Sequence, residues 1–435
     1  MSFRSALSHR GFRALWFGQV ASRVGDSVHE IALIWVVYEV TGDPTLLSLT
    51  FVASFLPTTV LSLPGGAIAD RVNRKHLLVG SDVVRGAVVL VIPAVGRGEL
   101  LVPTILAVAL FTGIIDAFDG PARSAIIPQL VPDDDLESAN SLKELTFSVS
   151  QMFFAGGGAV IAVVGSFDAF YVDAGSFFLS ALFVLAIPSE RGRPSPDEDQ
   201  SPKRTFRARL RSVVRETKRD ISDSLGYVAD HPLLTNLVAF QVGLQFTLAP
   251  INVALPVYAP SLPLEGGFAI GLLYSAFFTG MTAGSLLVGR YDGLVHAYRG
   301  RLVVGGLPVF GLLLVLAVVR VPTTGVQTAA VLVSLALAGA VFAAVRVPVT
   351  TLGQLVVPEE RLGRYSSVVG VFSSLAFVVG LGLTGPVVDA FGSRATLLGV
   401  GALGILLGGL FVGQPLGQIS GEVQTRTAST GESNA

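Results

Sequence analysis

Cysteine is missing altogether from the 435 residues, so neither a disulfide nor a thiolate metal ligand can contribute to this fold. Charge is scarce as well. Asp, Glu, Lys and Arg make up 14% of the chain, against about 25% in soluble globular domains. Nor are there the polar surfaces along which a chain this long would split into soluble domains. Apolar residues fill their place: mean hydropathy is +0.67, and hydrophobic runs of roughly 18 residues or more return along nearly the whole length. The chain reads as a polytopic membrane protein. Its net charge of −1 says little by itself, because distribution matters more, and no nucleic-acid partner is expected. The basic N-terminus leads into a long apolar stretch that carries charges and has no convincing small-residue cleavage site. It is therefore expected to be a first span, not a removable signal peptide.

Spanning helices are expected at roughly 12–40, 45–69, 76–97, 101–125, 141–165 and 168–188. A second set follows at 231–259, 266–291, 301–320, 325–347, 364–388 and 393–413. The expected organisation is an N-terminal six-helix bundle over 1–188, a cytoplasmic linker over 189–230, a C-terminal bundle over 231–413 and a disordered cytoplasmic tail over 414–435. The linker begins Pro- and acid-rich. Further on, Phe206, Leu210, Val213, Val214, Thr217, Ile221 and Leu225 recur at helical spacing, as in an amphipathic helix lying on a membrane surface. A solvated helix of no specific function fits that pattern equally. Lys and Arg are strongly biased: the linker alone holds ten, whereas the alternate loops offer Arg97, Arg320 and Arg394. By the positive-inside rule both termini are cytoplasmic, which requires an even number of spans, and twelve fits.

A repeat supports six plus six. Ile127-Pro128-Gln129-Leu130-Val131-Pro132-Asp133-Asp134-Asp135-Leu136 returns as Leu352-Gly353-Gln354-Leu355-Val356-Val357-Pro358-Glu359-Glu360-Arg361-Leu362, each copy preceding a new apolar span. At a similar offset His76-Leu77-Leu78-Val79-Gly80 resembles Arg301-Leu302-Val303-Val304-Gly305. Parallel halves with a midplane site between them are a standard plan of secondary transporters.

One polar interruption is informative: Gly66-x-x-x-Asp70-Arg71-x-Asn73-Arg74-Lys75, between the second and third spans. It resembles motif A of the major facilitator superfamily, G-x-x-x-D-R-x-G-R-[RK], with Asn73 where that family usually has Gly. Asn tolerates positive φ better than most residues, so a turn could survive there. Gly66 would leave room for close helix approach, Asp70 would cap or pair at the helix end, and Arg71, Arg74 and Lys75 would hold the loop in the cytoplasm. The resemblance implies that the acid docks on the eleventh helix and latches a cytoplasmic gate. A plain positive-inside loop is the competing reading.

Local wording narrows the likeness. Phe12-Arg13-x-Leu15-Trp16-x-x-Gln19-x-x-Ser22-x-x-Gly25-Asp26 is similar to the first helix of the third drug/proton antiporter subfamily, which includes macrolide, multidrug and siderophore exporters. Ala139-Asn140-Ser141 and Asp173-Ala174-x-Ser176-Phe177 resemble the same group. Where its antiporters carry a Gly-Pro signature in the fifth helix, this chain has Phe154-Ala155-Gly156-Gly157-Gly158, and the Arg that related antiporters carry in the fourth helix has no counterpart in AVALFTGII. Both departures bear on proton coupling more than on fold.

Charges within spans are costly and by default mark a pathway or a paired gate. Arg23, Asp26 and Glu30 share one helix face. At a rise of about 1.5 Å per residue, Arg23 and Asp26 fall near the centre of a core about 30 Å thick. Asp26 is the first candidate for a protonatable or cation-contacting carboxylate; a structural ion pair with Arg23 is the alternative. Asp116, Asp119 and Arg123 share a face of the fourth span. There the two acids are site candidates, interhelix pairing is equally open, and Arg123 reads as an anchor or gate. Asp82 and Arg85, one turn apart, form a candidate pair in the third span. Gln241, Gln245 and Asn252 offer amides in the seventh, with Gln245 brought opposite Asp26 by the repeat offset. Such a set suits a neutral or cationic amphipathic solute. Trp35, Tyr38, Phe246 and Tyr274 could line the cavity, although each fits ordinary packing or interfacial anchoring as well.

Several motifs fail on context. Gly380-Leu381-Gly382-Leu383-Thr384-Gly385 matches a dinucleotide loop but lies within an apolar span with no preceding strand. His29-Glu30 begins an H-E-x-x-H metal site, yet position 33 is Leu. No Walker A sequence and no Ser–His–acid arrangement appears, so neither ATP use within this chain nor an enzyme is expected, and no cofactor or metal. The expected protein is an all-α, twelve-helix secondary transporter of two pseudo-symmetric six-helix halves that rock about a central cavity. It would be a monomer in contact with lipid, exporting amphipathic small molecules against protons across the cytoplasmic membrane. Two alternatives stand: a carrier of one dedicated solute such as a siderophore or lysolipid, and a transport-inactive receptor or scaffold on the same fold.

Overall fold

The computed structural model describes residues 3–69, 72–188, 224–264, 266–319 and 324–411. A short helix, α1 (Phe3–Ser8), precedes the long α2 (Arg10–Thr41). The turn that follows uses three residues in three ways. Gly42 takes φ 61 and returns its N–H to Tyr38 O, Asp43 Oδ1 accepts from the Thr45 N–H at 2.7 Å, and Pro44 opens α3 (Pro44–Ala69) where its missing N–H is not needed.

Then come α4 (Arg74–Val89) and α5 (Val91–Val95), α6 (Leu101–Leu130), α7 (Asp133–Met152), α8 (Phe154–Val164) and α9 (Ala169–Leu185). The expected third span is thus interrupted at Leu90, because Pro93 has no N–H to continue the ladder. The expected fifth span begins earlier, at Asp133, and is bent by 50° between α7 and α8. Phe153 N–H there bonds Ser150 O at 3.0 Å, a tighter turn than the α ladder, just ahead of three poor helix formers, Gly156, Gly157 and Gly158.

The later helices are α10 (Pro232–Tyr258), α11 (Gly266–Arg290), α12 (Asp292–Ala317), α13 (Thr324–Val356) and α14 (Glu359–Leu410). The last covers both final expected spans and is interrupted at Gly392, whose φ of 80 leaves the helical region. Eight of the described helices are long and apolar enough to cross a membrane, nine with the bent α7–α8 pair. The charged α2, the 17-residue α9 and the two arms of α14 account for the other expected spans. Apolar side chains such as Val163, Leu286 and Leu406 stand exposed at 85%, 70% and 65%. That exposure suits lipid and would be unsound in water.

The repeat has matching backbone geometry. Pro132 and Pro358 both sit extended, at ψ 162 and 146, as the N-caps of α7 and α14. Val131 N–H bonds Ile127 O and Val357 N–H bonds Gly353 O, each at 3.3 Å. One sequence phrase closes a helix and opens the next in the same way twice.

The described residues up to 188, with Leu264–Leu272, form one compact unit, and the remaining residues from 224 onward form a second. In the first, α3 lies against α6 through small residues. A Cβ on Gly113 would stand 2.2 Å from Ser54 O, and one on Gly65 would stand 2.2 Å from Ala117 O. Gly66, expected to serve that close approach, has ordinary room, its Cβ position 3.9 Å from Pro121. Trp16 Nε1 donates to Thr146 Oγ1 at 2.9 Å, joining α2 to α7. In the second unit, Phe277, Phe310 and Phe342 pack ring on ring between α11, α12 and α13, and α11 meets α13 almost backbone to backbone at Gly280 and Gly284.

A Cβ on Gly280 would stand 1.8 Å from Ala336 O. Gly280→Val should therefore lower stability by about 1–3 kcal/mol, as overpacking does, read as a reduced melting temperature of detergent-purified protein. Gly289→Ala, where no atom lies within 4 Å, should leave it unchanged or raise it.

Candidate functional site

The first unit encloses a cavity of about 370 Å³. Its wall carries five carboxylates, Asp26, Glu30, Asp116, Asp119 and Asp173, against three guanidiniums, Arg23, Arg85 and Arg123, together with His29. Phe51, Phe55 and Phe177 supply aromatic wall beside Thr58 and Thr112. Helical spacing explains the clustering: Arg23, Asp26, His29 and Glu30 turn one face of α2 to the cavity, while Asp116, Asp119 and Arg123 do so on α6.

A continuous ionic chain runs from the cavity into the protein. Asp116 lies against Arg85 Nη2, which also approaches Asp119 Oδ2 at 3.6 Å. Arg123 Nε donates to the same Asp119 oxygen at 2.6 Å, and its Nη2 reaches Asp82 Oδ1 at 3.0 Å. Ser180 Oγ on α9 closes the chain by donating to Asp82 Oδ2 at 2.7 Å. The side chains run from 51% exposed at Asp116 to 0% at Asp82. Arg123 pairs with Asp119 on its own helix and with Asp82 across to α4, while Asp116 stays half open. The expected Asp82–Arg85 pair is not made: both residues face α6, so each takes its partners there instead of from its neighbour one turn away.

On α2, Arg23 Nη1 stands 3.7 Å from Asp26 Oδ2, and its guanidinium lies 5.5 Å over the Phe147 ring. Both side chains stay over one-third exposed, and Glu30 lines the cavity with no ion pair among the described residues. His29 Nδ1 lies 2.8 Å from Asp173 Oδ2 on α9, a pairing that local spacing could not suggest.

The three amides expected in the site do not line this cavity. Gln241 donates to Tyr365 Oη at 3.3 Å. Asn252 turns its amide back on the carbonyls of its own helix, and its main-chain oxygen accepts from Tyr274 Oη at 2.7 Å. Gln245 is half-buried on the same helix. Of the aromatic candidates, Tyr274 is 2% exposed and Trp35 packs against Gly266; neither they nor Tyr38 and Phe246 line the cavity.

In the motif A segment, Asp70 and Arg71 lie outside the described residues. Asn73 does not adopt positive φ; at φ −64 it caps α4, its side chain accepting from the His76 N–H at 3.3 Å. An Asx side chain suits an N-cap, which is what that position requires. Arg74 and Lys75 are buried, and Arg74 reaches Ala125 O near the end of α6. Arg74 thus ties the start of α4 to the later part of α6 as well as carrying charge.

A set of membrane-crossing helices, with an ionic cavity lined by five of them, is the build of a membrane transporter. Residues 15–381 match the Major Facilitator Superfamily, and the chain belongs to that family. Among its relatives, macrolide efflux protein A of Streptococcus pyogenes is 25% identical over 395 residues, covering 90% of this chain and 93% of the relative. The multidrug efflux pump Tap of Mycolicibacterium fortuitum is 26% identical over 414 residues, covering 90% and 92%. Among solved structures, the nucleoside transporter NupG superposes with a TM-score of 0.68 at 13% identity, covering 93% of this chain and 98% of that one, a likeness of fold.

Removing one partner from a buried ionic pair typically costs about 3–5 kcal/mol. Arg123→Met, which strands Asp82 and Asp119, should therefore depress the melting temperature of the purified protein sharply. Asp116→Asn, at the half-exposed end, should shift it little.

Proposed function

We propose that this transporter exports amphipathic small molecules, cationic ones above all, across the cytoplasmic membrane in exchange for protons, by alternating access. The observation that carries this reading is the surplus of carboxylates over guanidiniums around a partly aromatic cavity. A site with more acids than fixed cations lowers its energy by taking up a proton or an organic cation, and the two compete for the same negative charge. Asp26 is the point of exchange. It is the acid held most loosely by its guanidinium, and Arg23 favours its charged form while burial favours the neutral one. With the cavity open to the cytoplasm the proton leaves and the carboxylate receives the solute. With the cavity open outward a proton returns and displaces it. The names of the efflux relatives support the export direction.

Glu30, Asp116 and Asp119 shape the field in which Asp26 titrates, and Gln241, Gln245 and Asn252 serve as polar positions of the second unit. Gly66, Asp70, Arg71, Arg74 and Lys75 act as the cytoplasmic gate. Both termini, the linker over 189–230 and the tail over 414–435 lie in the cytoplasm, and a single chain in lipid suffices.

In an efflux-deficient host the wild-type chain should lower the accumulation of cationic dyes, and a protonophore should abolish the difference. Asp26→Asn, expressed at the same level, should accumulate dye like the empty vector. Proton-dependent efflux left intact by Asp26→Asn would sink the assignment of Asp26.

A further inference from the structure

Asp173 is the most deeply placed carboxylate bordering the cavity, 0% exposed on an apolar stretch of α9. No guanidinium comes within ion-pair distance of it among the described residues; its partner is His29 Nδ1 at 2.8 Å. The approach is built in. A Cβ on Gly25 would stand 2.9 Å from Asp173 Oδ1 and 1.9 Å from Ser176 Oγ, so only glycine lets α2 come this close. The Phe170 ring holds the imidazole edge-on at 5.5 Å.

A carboxylate this deep without a proton or a cation is very costly. The pair therefore has two low-energy arrangements, imidazolium with carboxylate or imidazole with carboxylic acid, and both contain the same single proton with no net charge. Loss of that proton strands a negative charge beside neutral His29. Gain of another makes the pair cationic, which the acids on the adjoining wall offset. The charged groups around it are Arg23, Asp26 and Glu30 on α2 and Asp82 and Arg85 on α4, with Asp116, Asp119 and Arg123 of α6 across the cavity. Neither α5 nor α8 brings a titratable side chain. His29 is 17% exposed, so Nε2 is the ring position through which a proton can pass between cavity and pair.

We propose that His29 and Asp173 form a second proton-holding unit of the transport cycle, exchanging a proton with the cavity in step with the exchange of proton and solute at Asp26. This rests on the proton-coupled reading above and divides its labour between two places. A cationic solute arriving at Asp26 removes the negative charge that favours the extra proton on the pair, so solute entry and proton departure become one event. Outward release runs the same exchange in reverse.

Two measurements on the full chain decide the matter. The first follows proton uptake by detergent-purified protein with an indicator dye as the solution is taken from alkaline to acidic. His29→Gln should take up one proton fewer than wild type, and so should Asp173→Asn, whose side chain keeps the shape. The second uses liposomes loaded with the monocation ethidium, comparing accumulation driven by a pH gradient with counterflow in its absence. In His29→Gln the pH-driven component should fall by a larger factor than counterflow does. Superimposable uptake curves, or pH-driven accumulation at the wild-type level in His29→Gln, would overturn the assignment. Wild-type liposomes that ignore the pH gradient yet show counterflow would instead overturn proton coupling itself.

Discussion

A charge inside a bilayer must be matched or neutralised, and the first unit is arranged around that demand. Asp82, Asp119 and Asp173 are all but excluded from solvent, and each has a cation or an imidazole against it. The three helices carrying the ionic chain, α4, α6 and α9, are thereby committed to a register. Sliding one by a turn of about 5.4 Å would unpair several groups at once. The apolar surfaces alone could not fix that register, since lipid solvates a leucine face as well as another helix does. Close backbone contacts supply the rest, with Gly65 and Gly113 seating α6 on α3 and Gly25 seating α9 on α2.

The chain of pairs is graded, and the grading separates structure from chemistry. At Asp82 every oxygen is occupied by Arg123 and Ser180. At Asp116 one guanidinium is shared with a competing carboxylate and half the side chain is open. Asp26 and Glu30 lie further still toward free acids. Bound charge gives way to exchangeable charge from the protein's interior to the cavity, so a proton or a solute can alter one end without dissolving the other.

Much of this was legible in the residues. Hydropathy located the spans because a helix crossing lipid has no other way to satisfy its backbone, and the Gln-Leu-Val repeat marked two equivalent joints. The charged faces of α2 and α6 followed from helical spacing. Partner choice did not. Asp82 and Arg85 looked like a pair because they are one turn apart, but the geometry of α6 decided otherwise. His29 fits only a metal motif that needs a second histidine four residues on, while its partner lies on α9. Asn73 looks like a tolerated stand-in for glycine in the motif, whereas the position calls for a cap. The bend at Phe153 and the breaks at Leu90 and Gly392 had their signals in Gly156-Gly157-Gly158, Pro93 and Gly392, but hydropathy runs across such signals without registering them.

The two prolines that open α7 and α14 have a bearing on descent. Their joints keep the same backbone angles and the same hydrogen bonds, while the residues around them have parted company. The deeply buried acids among the described residues all belong to the first unit. If the halves began as copies of one ancestral gene segment, the joint was retained and the electrostatics were not. The shared joint then outlasted the side chains around it, and among the described residues the burial of carboxylates became the work of one copy.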